Sequence, residues 1–436
     1  MADTLFRNVR VIDGSGEVPF AAEVLVSGNR IKALARRPAT LAAAPDAVVV
    51  DGGGATLMPG LVEPHAHPSF INTPSSPALG EVPPEEHTLL TAKFARMLLD
   101  HGFTALHSAA SAKPRLDVVV RNAINAGDLV GPRMLAASLE MTVTSGLGDV
   151  RLNHLHRETF AVVADGPEEF RRWARFFVRE GVDVLKINPS GDEGTPGSKA
   201  HMTVMTDAEV AAVAEVAVAH EKRMAAHARS AGAVKLSLRH GVDVIYHATL
   251  CDEEALDMLE AAKHRVFVAP TIGITYGAYK EAPARGVTLP DPVKRRFDNE
   301  FVRGIDNMKA LHKRGVRVLP GGDYGFAFNP MPRNARDLEH FVTLFGFTPM
   351  EAIVSATRMG GELMAAGAGP GETEHGPVEL GQVKVGFLAD LLLVDGDPSN
   401  DVTILQDPTH LIAIMKDGIF HKTPPTQRQA RPLAAE

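Results

Sequence analysis

The sequence predicts an α/β protein: a (β/α)8 TIM-like barrel with a small β-sandwich domain formed by both chain termini. Three observations predict it. Between residues 57 and 364, eight short apolar strands alternate with amphipathic helices. The flanking segments, 1–56 and 365–422, are β-rich and carry no helix to cover them. The polar residues of the middle segment cluster at the C-terminal ends of its strands, the face on which this fold builds its sites. Residues 423–436 read as a tail.

In the N-terminal piece, Leu5–Ile12 and Ala22–Ser27 alternate apolar and polar residues, with turns at Asp13-Gly14-Ser15-Gly16 and Gly28-Asn29. Val48–Val50 leads to the break at Gly52-Gly53-Gly54. Strand one runs from Leu57 to His67. The next seven strands are Thr104–His107, Met134–Ser138, Val182–Ile187, Arg223–His227, Val242–His247, Val266–Pro270 and Val316–Leu319. Helical stripes follow them in turn: Glu85–Asp100, Leu116–Ala126, Pro167–Glu180, Asp207–His220, Ala231–Arg239, Glu253–Ala262, Pro292–Lys313 and Asn334–Phe345. The span exceeds the roughly 250 residues usual for the fold. The excess lies in Met141–Asp165 and Ile272–Asp291, both strand-to-helix connections and so read as loops covering a substrate. Beyond a Gly- and Ala-rich linker, β character returns at Val383–Gly386, Ala389–Val394 and Leu411–Met415, turning at Lys416-Asp417-Gly418.

The 436 residues are 45% hydrophobic and 22% charged, with a net charge of −8 and no strongly basic run. That balance argues against nucleic acid or an anionic membrane as partner and leaves a small molecule. No apolar run is long enough to span a bilayer and no signal peptide is apparent. The single cysteine, Cys251, forms no internal disulfide, so a cytoplasmic location is expected.

Strand one ends in His65-Ala66-His67. Side chains alternate along a strand, so both imidazoles face one side and can chelate a cation. Strand five ends at His227, strand six at His247, and strand eight is followed by Pro320-Gly321-Gly322-Asp323. Four histidines and an aspartate from four strand ends make a metal centre. Lys186 stands among apolar residues of strand four, where an unpaired ammonium is costly. An ammonium ligates no metal, but a lysine carboxylated by carbon dioxide can bridge two cations. The other reading is an ammonium that binds substrate or neutralises Asp323.

Pro59-Gly60-Leu61-Val62-Glu63-Pro64-His65-Ala66-His67, Lys186, His227, His247 and Gly321-Gly322-Asp323 together resemble the amidohydrolase superfamily in its binuclear form. The resemblance covers nearly the whole chain. It implies His65, His67 and Asp323 on the more buried metal, His227 and His247 on the other, and carboxylated Lys186 bridging both. Two divalent ions are implied, zinc first, with cobalt, manganese or iron also suited to these ligands. Ala226-His227-Ala228-Arg229-Ser230 and Val244-Ile245-Tyr246-His247-Ala248-Thr249 resemble the branch with prolidase-like peptidases and hydrolases of aryl amides, ureas and thiocarbamates. The resemblance further implies a homo-oligomer.

The function expected is hydrolysis of a C–N bond in a small amide, an N-acyl amino acid or an aryl amide, by metal-activated bridging hydroxide. Lys186 serves as bridge, and Asp323 as ligand and as the shuttle that carries a proton to the leaving nitrogen. An aryl urea or carbamate is the alternative under the same mechanism. Lactone and phosphotriester hydrolysis share the ligand set. Deamination is disfavoured because Ser230 stands where deaminases of that superfamily carry glutamate, and because Lys186, which they lack, is present. A non-catalytic scaffold would have lost ligands, and Gly-x-Ser-x-Gly is absent. Candidate substrate contacts are Arg229, two residues past His227, with His107, His154, His156, Tyr276 and Tyr279. Tyr246 precedes a ligand and by alternation faces outward.

Overall fold

The computed structural model describes residues 2–152, 154, 159–192, 195, 197–281, 284, 291–365 and 379–425. The expected linker from 365 and the tail from 423 fall largely outside them.

Five strands come first: β1 (Thr4–Val11), β2 (Phe20–Ser27), β3 (Arg30–Arg36), β4 (Val48–Asp51) and β5 (Thr56–Pro59). Then come β6 (Leu61–Ala66), β7 (Phe103–Ser108), β8 (Arg133–Leu135), β9 (Ala137–Thr142) and β10 (Ala161–Val163). The next five are β11 (Val184–Ile187), β12 (Arg223–Ser230), β13 (Val244–Leu250), β14 (Phe267–Ala269) and β15 (Arg317–Val318). The last are β16 (Leu391–Val394), β17 (Leu411–Lys416) and β18 (Ile419–Lys422).

The two ends of the chain share one eight-stranded sheet, ordered β18-β17-β16-β5-β1-β2-β3, with β4 branching from β1. Its core holds Phe6, Val9, Val11, Val24, Leu57, Leu391, Leu393 and Met415. The middle of the chain is mixed α/β. Parallel strands form a three-stranded sheet, β6-β7-β8, and a seven-stranded sheet, β10-β9-β11-β12-β13-β14-β15. Parallel strands buried on both faces need continuous apolar runs, and β11, β13 and β14 are buried at every position.

Gly60 alone separates β5 of the terminal sheet from β6 of the parallel set. A Cβ there would lie 2.1 Å from Thr104 Oγ1, so only glycine lets the strand pass so close to β7. Helices begin abruptly at strand ends, because their first residues are capped on the spot. Ser230, the last residue of β12, accepts from the Ala233 N–H and starts the helix Ala231–Arg239. Thr206 and Glu209 form a capping box for Asp207–Ala219.

Three departures from the sequence reading concern the strands and their pairing. The third expected strand divides at Ala136, because β8 pairs with β7 while β9 pairs with β11. The connection after β9 contains β10, which runs parallel to β9. Val383–Gly386 is a turn rather than a strand; the Val383 N–H donates to the Asp13 carbonyl.

Candidate metal and substrate site

His65, His67 and Asp323 offer ligand atoms that all lie within 4.8 Å of one another, and all three residues are buried. They could hold a metal ion. His65 and His67 come from the end of β6. Asp323 follows β15 through Gly321-Gly322. A Cβ on Gly321 would sit 2.9 Å from that of His65, and one on Gly322 would sit 2.3 Å from the Tyr324 ring. Gly321 lets this turn approach β6, and Gly322 lets it pass Tyr324 and Asp337. Asp323 itself adopts φ +58°, His247 φ +77° and Thr271 φ +56°. Left-handed backbone at three non-glycine residues around one centre is the strain expected of a functional site.

The hydrogen bonds fix which ring nitrogens are free. His67 Nδ1 donates to the Ala110 carbonyl at 3.1 Å. Its Nε2 lies 3.2 Å from Asp323 Oδ1. Two imidazole nitrogens and a carboxylate oxygen converging in a buried site are a donor set that fits a metal. Nδ1 of His65 is buried without a hydrogen-bond partner. Burial opposes charge on Asp323, but neighbouring His65 and His67 outweigh it and hold the carboxyl below the usual range. Burial likewise holds His65 and His247 well below the ordinary histidine value, in the neutral form that a metal requires.

His227 and His247, from β12 and β13, lie with ring centroids 4.2 Å apart, and His247 is 5.8 Å from His65. His247 Nδ1 is hydrogen-bonded to the Thr271 hydroxyl, which in turn donates to the Pro270 carbonyl at 2.7 Å. The imidazole is thus the donor to threonine, and Nε2 is left free. His227 uses the opposite nitrogen: Nε2 donates to the Gly191 carbonyl at 3.3 Å, leaving Nδ1. Burial, then Arg229, lowers the His227 pKa to about 3. Lys186 is buried on β11 with Nζ 3.7 Å from Glu140 Oε1. Burial lowers its pKa, with Glu140 and Asp323 opposing.

Sequence reasoning missed several neighbours. Glu140 on β9 faces Lys186 and accepts from Asn188 at 2.7 Å. Glu63 accepts from the His65 backbone at 3.0 Å and from Asn334 at 2.7 Å, fixing the end of β6. Tyr246 corrects the alternation argument. It faces inward, its ring 3.9 Å from that of His65, and donates to the Pro64 carbonyl at 3.0 Å. The backbone leaves β geometry at His247, so two consecutive side chains reach the same centre.

A cavity of about 300 Å³ opens over His227 and Asp323. Its wall carries Phe70, Phe160, Phe297, Phe326, Phe328 and Ile274, with Asp149, Asp192 and Arg229 as the other charged residues. Both long connections expected to cover a substrate contribute to this wall, through Leu147–Val150 and through Ile274, Thr275 and Ala278. Phe70 stacks on His67 at 4.0 Å and meets Phe160 and Phe326 edge-on.

The remaining expected contacts fall in different places. Arg229 is buried at the cavity wall. His107 lies beneath the centre, its Nδ1 donating to the Tyr246 hydroxyl at 3.2 Å, and burial, with Arg223, lowers its pKa to about 3. Tyr276 stacks on His340 at 4.7 Å and Tyr279 packs on Phe301 at 5.4 Å; neither lines the cavity. His154 is exposed. His156 lies outside the described residues.

The sequence model of the Amidohydrolase family matches residues 56–420. Ochratoxinase from Aspergillus niger is 25% identical over 396 residues, covering 84% of this chain and 76% of that protein. The crystal structure of A. niger ochratoxinase superposes with a TM-score of 0.83 at 22% identity, over 99% of this chain and 98% of the other. That of a Xaa-Pro dipeptidase with bound methionine gives 0.82 at 25% identity, over 97% and 100%.

Proposed function

The chain belongs to the amidohydrolase family and is a hydrolase of amide-type bonds, and from that premise we propose that it cleaves the C–N bond of a small amide bearing an aromatic group, an N-acyl amino acid or an aryl amide. The observation that carries this reading is the phenylalanine-lined cavity lying directly over His227 and Asp323. In this reading the parallel strands close into a (β/α)8 barrel. Support comes from the turn after β15, where Gly321 lies against Pro64 and His65 of β6.

The ligand set of the reading is His65, His67 and Asp323 with His227, His247 and Lys186, the lysine carrying a carboxylate. Zinc suits these donors first. When bound, two cations supply Lewis acidity that makes hydroxide available near neutral pH and polarises a carbonyl. The protein does the rest. The phenylalanines seat the aromatic group and exclude water. Asp323 accepts the proton of the attacking water and returns it to the nitrogen, so that the leaving group departs as a neutral amine rather than an amide anion. His67 and His247 are held in orientation through Ala110 and Thr271.

Metal-reconstituted protein assayed with an N-aroyl amine, a lactone and a phosphotriester tests the reading. Turnover of the amide should exceed that of the other two. Preferential cleavage of the lactone or the phosphotriester would overturn it. Phe326→Ala should raise KM for an aroyl amide more than for an acetyl amide.

A further inference from the structure

Three of the four histidines of the proposed centre are turned by a hydrogen bond on one ring nitrogen: His67 through Ala110, His247 through Thr271 and His227 through Gly191. His65 is the exception. Its Nε2 is directed toward Asp323, 3.8 Å from Oδ1. Its Nδ1 is buried and finds no hydrogen-bond partner among the described residues. The torsion that turns an imidazole is broad, so the backbone alone does not settle how the His65 plane lies. A histidine that ligates a metal needs that plane fixed.

What the His65 ring has instead is a second ring laid against it. Tyr246 lies 3.9 Å away, centroid to centroid, with the two planes 31° apart. The other rings near His65 are farther and more steeply inclined, His67 at 5.0 Å and 57° and His247 at 5.8 Å and 76°. With the tyrosine so close, turning the imidazole about its own bond drives an edge into it. Tyr246 is itself immobilised. It is fully buried, and its hydroxyl donates to the Pro64 carbonyl at 3.0 Å and accepts from His107 Nδ1 at 3.2 Å. Pro64 directly precedes His65, so one side chain holds both the backbone that leads into the histidine and the histidine ring. The same bond joins β13 of the seven-stranded sheet to β6 of the three-stranded one. Lys186 Nζ stands 4.9 Å from the tyrosine ring but has Glu140 Oε1 at 3.7 Å besides.

We propose that Tyr246 is a positioning residue: its ring, packed against the plane of His65, orients that imidazole toward the metal in place of the hydrogen bond that turns the other three histidines. The ring and the hydroxyl have separate duties, the ring toward His65 and the hydroxyl toward the strands. The inference rests on the metal-centre part of the proposed reading and is independent of the substrate.

Cobalt per chain after equilibration against graded chelator, together with the visible absorption of the bound cobalt, tests it. In Tyr246→Leu, one equivalent should be released at a chelator concentration about tenfold lower than in the wild type, or lower still, and its absorption should change in position or intensity. Tyr246→Phe keeps the ring and gives up the hydroxyl bonds. Its melting temperature should fall, yet its cobalt release and absorption should match the wild type. A merely structural residue would make metal loss follow the fall in stability in both variants. Wild-type release and absorption in a folded Tyr246→Leu protein overturn the inference, and so does a loss in Tyr246→Phe as large as that in Tyr246→Leu. Should Tyr246→Leu fail to fold, Tyr246→Phe decides: retained affinity at a lowered melting temperature supports the ring, and a loss of about tenfold overturns it. These outcomes leave the metal-centre reading standing, whereas a wild-type protein that binds no cobalt overturns that reading and the inference with it.

Discussion

Thr271→Val isolates the contribution of a single hydroxyl to the His227 and His247 half of the proposed centre. Valine matches threonine in shape and is branched at the same carbon, so the unusual backbone at φ +56° is no worse for it. What is lost is the acceptor for His247 Nδ1–H. That N–H is buried, and a buried donor left unpaired costs about 1–3 kcal/mol. Part of the cost appears as ring disorder or as the wrong tautomer, and both withdraw Nε2 from a cation. At about 1.4 kcal/mol per tenfold, the expected loss in metal affinity is about 10–100-fold, in line with the effect of removing a group that orients a metal-bound histidine. The loss should be one-sided, because the Thr271 hydroxyl bonds to His247 and the Pro270 carbonyl and the valine leaves His65, His67 and Asp323 in place. Metal per chain, measured by mass spectrometry after equilibration against graded chelator, should show one equivalent released early and the other at the wild-type chelator concentration. Release of both equivalents together at wild-type concentrations would show that the hydroxyl does not govern His247.

Four other outcomes are expected. Lys186→Ala should lose metal and activity, and added short carboxylic acids should partly restore both; full activity in the variant would remove the bridging role. Asp323→Asn should reduce amide turnover by several orders of magnitude, and near-normal turnover would remove the proton shuttle. Cys251 is buried, which raises its thiol pKa to about 12; native protein at pH 8 should resist a thiol reagent that labels it fully in denaturant. Hydrogen bonding to Arg333, ahead of Arg336, lowers the Glu281 carboxyl to about 2. Its stabilising contribution is therefore present above the ordinary value of 4.5 and fades as pH falls toward 2. Melting temperature in Glu281→Gln should fall less steeply between pH 5 and 3 than in the wild type.

How legible the site was depended on what kind of signal placed each residue. His65 and His67 were readable because a two-residue spacing on a strand puts both rings on one face. Lys186 was readable because a charge stood out in an apolar strand. Tyr246 was misplaced because alternation holds only while the backbone stays extended, and it does not at His247. Glu300 was invisible, since its partner Arg229 lies 71 residues away and the two meet only through packing. The phenylalanine wall draws on several separated segments, each of which reads by itself as ordinary core. Helix boundaries such as Leu116–Ala126 and Ala231–Arg239 were fully recovered, being set by local periodicity and caps. The split of the third strand was not, because it depends on which neighbour each half pairs with.

The single glycine between β5 and β6 has a consequence for the order of assembly. β5 is held on one side by β1 and on the other by β16, whose Leu391 to Val394 lie near the far end of the chain. During synthesis, which proceeds from the N-terminus, β5 has an open flank until residue 394 has emerged. The histidine pair continues from that strand, so its final seating waits on almost the whole polypeptide. Metal capture should then be a late event, belonging to the finished chain rather than to the nascent one.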